Sequence, residues 1–143
     1  VSHPEIGVKS AFICESRLNE PRDCYYYRFI PDIPGDDNPG TFHSVDLWFF
    51  FDTIAKCTRP YTGRHYDLAR QMSSYWINFI KTGDPNGKDR NGEALPKWDK
   101  YTEDNRAEML FTSEGAKSAA AESEFVSFLT NATVMREMGG KIK

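Results

Sequence analysis

The chain has 143 residues, 39% of them hydrophobic and 14% aromatic, which is long and apolar enough for one folded core and argues against a disordered polypeptide. Its net charge of −3, without a stripe of Lys and Arg interleaved with aromatics, argues against nucleic acid as the main partner. No run of about 18 apolar residues is present to suggest a membrane span.

Residues 5–19 carry Ile6, Val8, Ala11, Phe12 and Leu18 on roughly one side of a helix, which Pro21 should end. The run Cys24-Tyr25-Tyr26-Tyr27-Arg28-Phe29-Ile30 is aromatic, β-prone and bounded by prolines. It predicts a strand buried on both sides. Residues 31–40 hold three prolines, two glycines, three aspartates and an asparagine, and predict a loop. Loops set on a rigid strand are frequent seats of chemistry. Ser44 is expected to cap a helix over residues 45–54, with Asp46 in its first turn favourably placed in the helix dipole.

Residues 62–81 give the clearest helix. Leu68, Met72, Tyr75, Trp76, Phe79 and Ile80 follow a 3.6-residue spacing, with Arg70, Gln71, Ser74, Asn78 and Lys81 opposite, and Gly83 is placed to stop it. Residues 84–92 form a turn-rich surface loop. Residues 95–101 are too proline-broken for a helix and should lay Trp98 and Tyr101 against the core. Residues 107–112 predict a short strand. A last helix is expected over 117–138, with Ala121, Phe125, Phe128, Leu129, Ala132 and Met135 on one face and Gly139-Gly140 after it. There is no internal repeat.

Of the three histidines, His3 lies near a terminus without notable neighbours, and His65 falls in the first turn of the long helix, where a surface position is expected. His43 stands between the Pro/Gly-rich loop and the apolar run Leu47-Trp48-Phe49-Phe50-Phe51, a setting suited to proton transfer near neutral pH. The competing expectation is that it hydrogen-bonds the start of the next helix. No Gly-x-Ser-x-Gly, phosphate loop, His-Glu-x-x-His or calcium loop is present. Ser44 adjoins His43, but adjacent side chains at a helix start diverge. Asp36-Asp37 is expected to be a solvated loop pair. Cys14, Cys24 and Cys57 lack zinc-site spacing and are expected as buried or half-buried thiols, with one disulfide open if the protein is secreted. Asn131-Ala132-Thr133 fits a glycosylation acceptor but falls on the amphipathic last helix. No metal or cofactor is expected. The chain starts at Val1 and lacks a signal peptide, which suggests a processed or excised piece and leaves the compartment open.

Four segments together resemble the C-terminal part of the type-B carboxylesterases, the α/β-hydrolase family of para-nitrobenzyl esterases and cholinesterases. These are Tyr25-Tyr26-Tyr27-Arg28-Phe29, Gly40-Thr41-Phe42-His43-Ser44-Val45-Asp46-Leu47, residues 75–86 (Tyr75-Trp76-Ile77-Asn78-Phe79 through Gly83-Asp84-Pro85-Asn86), and Leu95-Pro96-Lys97-Trp98-Asp99-Lys100-Tyr101. The resemblance implies an α/β fold in which residues 1–143 are an incomplete C-terminal portion of one hydrolase domain. About two strands and three to four helices are then expected, helix-rich on their own. It implies that His43 is the histidine of a Ser–acid–His triad, with Asp46 as loop support. Serine, acid and oxyanion donors would lie upstream, so the parent would hydrolyse small-molecule esters, the upstream remainder of the polypeptide would be the chief partner, and this chain alone would be inactive. Two alternatives stand beside this: a non-catalytic binding or adhesion domain of the wider family, and a helical interaction module. Exposed apolar faces left without sheet partners would favour self-association in either setting.

Overall fold

A computed structural model describes Ser10 and residues 13–120. In chain order the elements are β1 (Tyr27–Phe29), α1 (Asp46–Phe50), a 3₁₀ turn (Ile54–Lys56), α2 (Gly63–Thr82), β2 (Ala107–Thr112) and β3 (Gly115–Ala120). The strands form one sheet in the order β1-β2-β3. β1 runs parallel to β2 with Tyr27, Arg28 and Phe29 opposite Met109, Leu110 and Phe111. β2 and β3 form an antiparallel hairpin. A parallel pair demands a long crossover, and the segment carrying α1 and α2 supplies it.

The alternation of β1 separates two environments. Tyr25, Tyr27 and Phe29 point to the main core: Tyr25 meets Trp98, Tyr27 meets Phe50, Trp98 and Phe111, and Phe29 meets Phe49, all edge-on at 5.0–6.1 Å between ring centres. On the other face Tyr26 packs with Cys14 and Tyr101, and the Arg28 guanidinium grips the buried Glu108 carboxylate with Nε at 2.6 Å. The expected strand over 24–30 is therefore shorter, and its ladder residues are half-buried rather than buried on both sides. Both departures have one cause: among the described residues β1 has a strand neighbour on one edge only. Its flanks stay extended, with Tyr101 N–H donating to the Cys24 carbonyl and Met109 N–H to that of Tyr26, both at 2.9 Å.

α2 starts and stops where the sequence indicates, with Thr62 before its first turn and Gly83 in the left-handed conformation (φ 78°) donating its N–H to the Phe79 carbonyl. Leu68, Met72 and Tyr75 are buried as expected; Trp76, Phe79 and Ile80 are 42–68% exposed. The stripe is wider than the part of the sheet available to cover it. Ser74, placed on the solvent side by the pattern, is buried and donates to the Arg70 carbonyl at 2.7 Å. Trp98 joins the main core with Val45, Phe49, Phe50, Ile54, Met109 and Phe111, while Tyr101 belongs to the second cluster. Burying each large side chain contributes roughly 1.5–3 kcal/mol.

Two helices differ from expectation. The helix predicted over 45–54 is only α1, followed by the 3₁₀ turn, and Ser44 does not cap it: Val45 holds the cap position and no side chain bonds the first turn. Where the pattern predicts a helix from residue 117, residues 115–120 are β3. A tight turn sets this up, with Glu114 N–H donating to Thr112 Oγ1, that hydroxyl reaching the Gly115 carbonyl, and Gly115 at φ 120°. Six cross-strand pairs then override the helix preference of a Ser/Ala-rich segment. The remainder of that predicted helix, 121–138, lies outside the described residues, as do Asn131 and, within the predicted 5–19 helix, residues 5–9, 11 and 12. Of that 5–19 segment, residues 13–16 are helical and 17–19 turn.

The 84–92 loop is fastened rather than loose. Arg70 Nε on α2 holds the buried Asp89 carboxylate at 2.8 Å. Asn86 acts as a substitute strand partner for Trp98: its Oδ1 accepts the Trp98 N–H at 2.7 Å and its Nδ2 donates to the Trp98 carbonyl at 2.9 Å and to Asp84 Oδ1 at 2.7 Å.

Candidate functional site

The loop leaving β1 is held at both ends. Asp32 N–H donates to Ser113 Oγ in the β2–β3 turn at 2.8 Å, and Thr41 Oγ1 donates to the Pro31 carbonyl at 2.8 Å. Between them Arg59 makes a two-pronged pair with Asp37 (2.9 Å for each prong) and donates to the Pro34 carbonyl at 3.1 Å. Asp37 is thus not a free solvated carboxylate; the Arg59 hydrogen bonds hold its pKa below the ordinary value. Gly35 is required by this clamp, since a Cβ there would run into the Arg59 guanidinium and the Asp37 carboxylate.

His43 follows at the tip, in the turn 43–45 that leads into α1. Its side chain is exposed, and among the described residues no hydrogen bond or ion pair engages it, so it does not cap the following helix. The residues on either side of it are anchored. Val45 is 1% exposed, and Phe49 and Phe50 sit in the core. Phe42, just before it, packs edge-on against Trp48 at 6.0 Å, with the Arg59 guanidinium over its ring at 5.4 Å. Ser44 is exposed and adopts φ 66°, a left-handed conformation that costs a non-glycine residue about 1–2 kcal/mol. The chain therefore turns sharply between His43 and the buried Val45, leaving the imidazole outside while Val45 is pulled in.

Asp46, three residues after His43, is engaged from the sheet. Tyr27 Oη on β1 donates to Asp46 Oδ2 at 2.8 Å, tying the first turn of α1 to the strand. Burial, and then the Asp46 carboxylate beside it, raise the Tyr27 pKa well above its ordinary value. The pairing is not visible in the sequence; only the alternation of β1, which puts Tyr27 on the core face, hints at it.

His65, expected at the surface, is 2% exposed. It is the third helical residue of α2, and its Nδ1 accepts the Thr62 N–H at 2.9 Å, a capping box with imidazole in place of the usual Glu or Gln. Nδ1 is the acceptor, so the proton sits on Nε2. The Asp32 backbone lies close enough to favour the protonated ring but short of a hydrogen bond to Nε2. Burial outweighs it and holds the His65 pKa below 6.5. The Thr-x-x-His spacing is the signal available for this role. His3 lies outside the described residues.

Among the described residues no group of three or more His, Cys, Asp or Glu side chains converges to hold a metal ion, and no helix is long and apolar enough to cross a membrane. Cys14 is buried, and Cys24 and Cys57 are half-buried.

Comparison with known proteins shows the family and the fold. The model of the carboxylesterase family matches residues 7–129. Acetylcholinesterase 1 of Caenorhabditis elegans is 31% identical over 98 residues, covering 66% of this chain and 16% of the nematode protein. Among solved structures, an esterase from Clostridium hathewayi superposes with a TM-score of 0.67 at 24% identity, over 83% of this chain and 23% of its own. A PNB esterase superposes with a TM-score of 0.58 at 29% identity, over 75% of this chain and 21% of its own. The chain thus spans less than a quarter of the length of any of the three, and its fold is a piece of an α/β-hydrolase.

Proposed function

The chain belongs to the carboxylesterase family, and from that premise we propose that it supplies His43 as the triad histidine of a serine carboxylic-ester hydrolase. One observation carries the reading. His43 is the residue of the Gly-Thr-Phe-His-Ser-Val-Asp segment that emerges from a doubly clamped loop with its ring unengaged among the described residues. An imidazole that must bind a serine hydroxyl on one nitrogen and a carboxylate on the other has to be kept free of local capping bonds, while the backbone around it is held still. The loop clamp by Arg59, the buried Val45 and the Tyr27–Asp46 bond meet the second need.

In this reading the serine, the triad acid and the oxyanion donors come from outside these 143 residues, which form one portion of a single hydrolase domain. Neutral His43 takes the serine proton as the hydroxyl oxygen attacks the ester carbonyl, then returns it to the departing alcohol. Asp46 is occupied by Tyr27 and serves to hold the turn. The substrate class is a small-molecule carboxylic ester, and no cofactor is needed.

The test has two arms. Residues 1–143 alone should hydrolyse p-nitrophenyl acetate no faster than buffer. A longer polypeptide carrying an upstream Gly-x-Ser-x-Gly should be active, and His43→Gln should lower its kcat by about a thousandfold or more with little change in KM. Turnover by the 143-residue chain, or full activity in the His43→Gln enzyme, overturns the proposal. An upstream segment without the nucleophile serine would point to a binding domain instead.

A further inference from the structure

Cys14 and Cys24 take no part in the histidine site, yet the fold brings them together from different elements. Cys14 sits on the helical turn 13–16 and is 4% exposed; Cys24 is half-buried at the approach to β1. Both belong to the second cluster, where Cys14, Tyr26 and Tyr101 form the buried part and Cys24 packs against it. Within it, the Cys14 side chain is the strongest influence on the Cys24 thiol. Their backbones are separately tied down: Arg17 N–H donates to the Cys14 carbonyl at 3.1 Å, and Tyr101 N–H to the Cys24 carbonyl at 2.9 Å. Next to Cys14, Glu15 accepts Tyr101 Oη at 2.7 Å and Arg106 Nε at 2.5 Å, which fixes the same turn against the sheet. Cys57, after the 3₁₀ turn, is outside this cluster.

We propose that Cys14 and Cys24 are a dithiol that closes to a reversible disulfide when a small-molecule disulfide is supplied as oxidant, linking the helical turn 13–16 to the start of β1. Cys24 is the entry point. The neighbouring Cys14 side chain brings its thiol down to about 7 in spite of burial, helped by the Arg17 charge and the Tyr25 N–H. The Cys24 thiolate attacks one sulfur of the oxidant; that S–S bond breaks and one half leaves as a thiolate. Cys14 then gives up its proton and attacks Cys24 Sγ, expelling the second half. Two electrons and two protons pass from the protein to the oxidant, and buried Cys14 is the resolving thiol.

The experiment equilibrates the full chain in mixed oxidised and reduced glutathione, quenches with acid, alkylates and maps the peptides without reductant. The expected product is one internal link between residues 14 and 24 with Cys57 alkylated. Cys14→Ser should stall as a glutathione adduct on Cys24, and Cys24→Ser should leave Cys14 largely unreacted. The closure constant of the wild-type chain should fall about tenfold or more in denaturing urea, since the fold holds the thiols together. This comparison needs no variant to fold. A persistent glutathione adduct on wild-type Cys24, a link through Cys57, or equal closure in urea would overturn the proposal.

Discussion

The bond between Tyr27 on β1 and Asp46 on α1 is the most direct fastening of the histidine turn to the sheet, and its worth can be isolated. Tyr27→Phe removes only the hydroxyl. The ring contacts with Phe50 at 5.2 Å, Phe111 at 5.7 Å and Trp98 at 6.1 Å remain available to phenylalanine. A hydrogen bond to a charged acceptor contributes about 1.5–3 kcal/mol; with Asp46 only half-buried, the lower part of that range, about 1.5 kcal/mol, is expected. Asp46→Ala loses the same bond and also an acidic side chain in the first turn of α1, so its total cost should be larger. The dipole contribution cancels in a double-mutant cycle. Urea unfolding of wild type, both single variants and the double variant, followed by tryptophan fluorescence, should give a coupling of about 1.5 kcal/mol. Additivity within about 0.5 kcal/mol would show that the bond does not hold α1 on the sheet and would refute the reasoning.

Three further outcomes are expected from the same geometry. Ser44→Gly removes the strain of a left-handed serine and should raise stability by about 1 kcal/mol in the same unfolding assay; a loss would mean that the turn is not strained. Because burial holds the His65 pKa below 6.5 in the folded chain, the unfolded chain takes up the proton first as pH falls. The stability tied to neutral His65 is therefore complete above 6.5 and lost below it, so the urea midpoint should drop between about pH 7.5 and about pH 5.5, and His65→Asn should flatten that drop. Finally, Trp76, Ile77, Phe79 and Ile80 lie 42–68% exposed on α2, so the isolated chain should self-associate in light scattering, and Ile80→Glu should reduce it; identical scattering from both would exclude this face.

How legible these features are depends on the range of the forces behind them. α2 is legible because its burial repeats every 3.6 residues and its ends carry local signals in Thr62 and Gly83. The loop and the position of His43 rest on prolines and glycines that act over a few residues. By contrast, the exposure of Trp76 and Ile80 depends on how much sheet covers the helix, and β3 depends on pairing with β2, neither of which is written in its own segment. His65 looks like a surface residue in the sequence because its burial comes from the 31–40 loop and Tyr61 packed above it, with the Tyr61 ring at 5.3 Å. Residue type alone makes Ser44 a cap, whereas the backbone sign at that position, φ 66°, gives it another role.

The way Asn86 grips Trp98 also sets a chemical clock. Asn86 is followed by Gly87, and an Asn-Gly bond ages by attack of the glycine nitrogen on the asparagine side-chain carbonyl, which releases ammonia and leaves an aspartate or isoaspartate. That carbonyl oxygen is committed to the Trp98 N–H, and the amide nitrogen to the Trp98 carbonyl and Asp84. Ring closure must wait until the segment opens. Isoaspartate accumulating at residue 86 in mildly alkaline buffer would therefore count openings of the loop that joins α2 to Trp98. Each conversion would replace a donor to the Trp98 carbonyl with a carboxylate facing Asp84, so a single ageing event would loosen the aromatic core beneath.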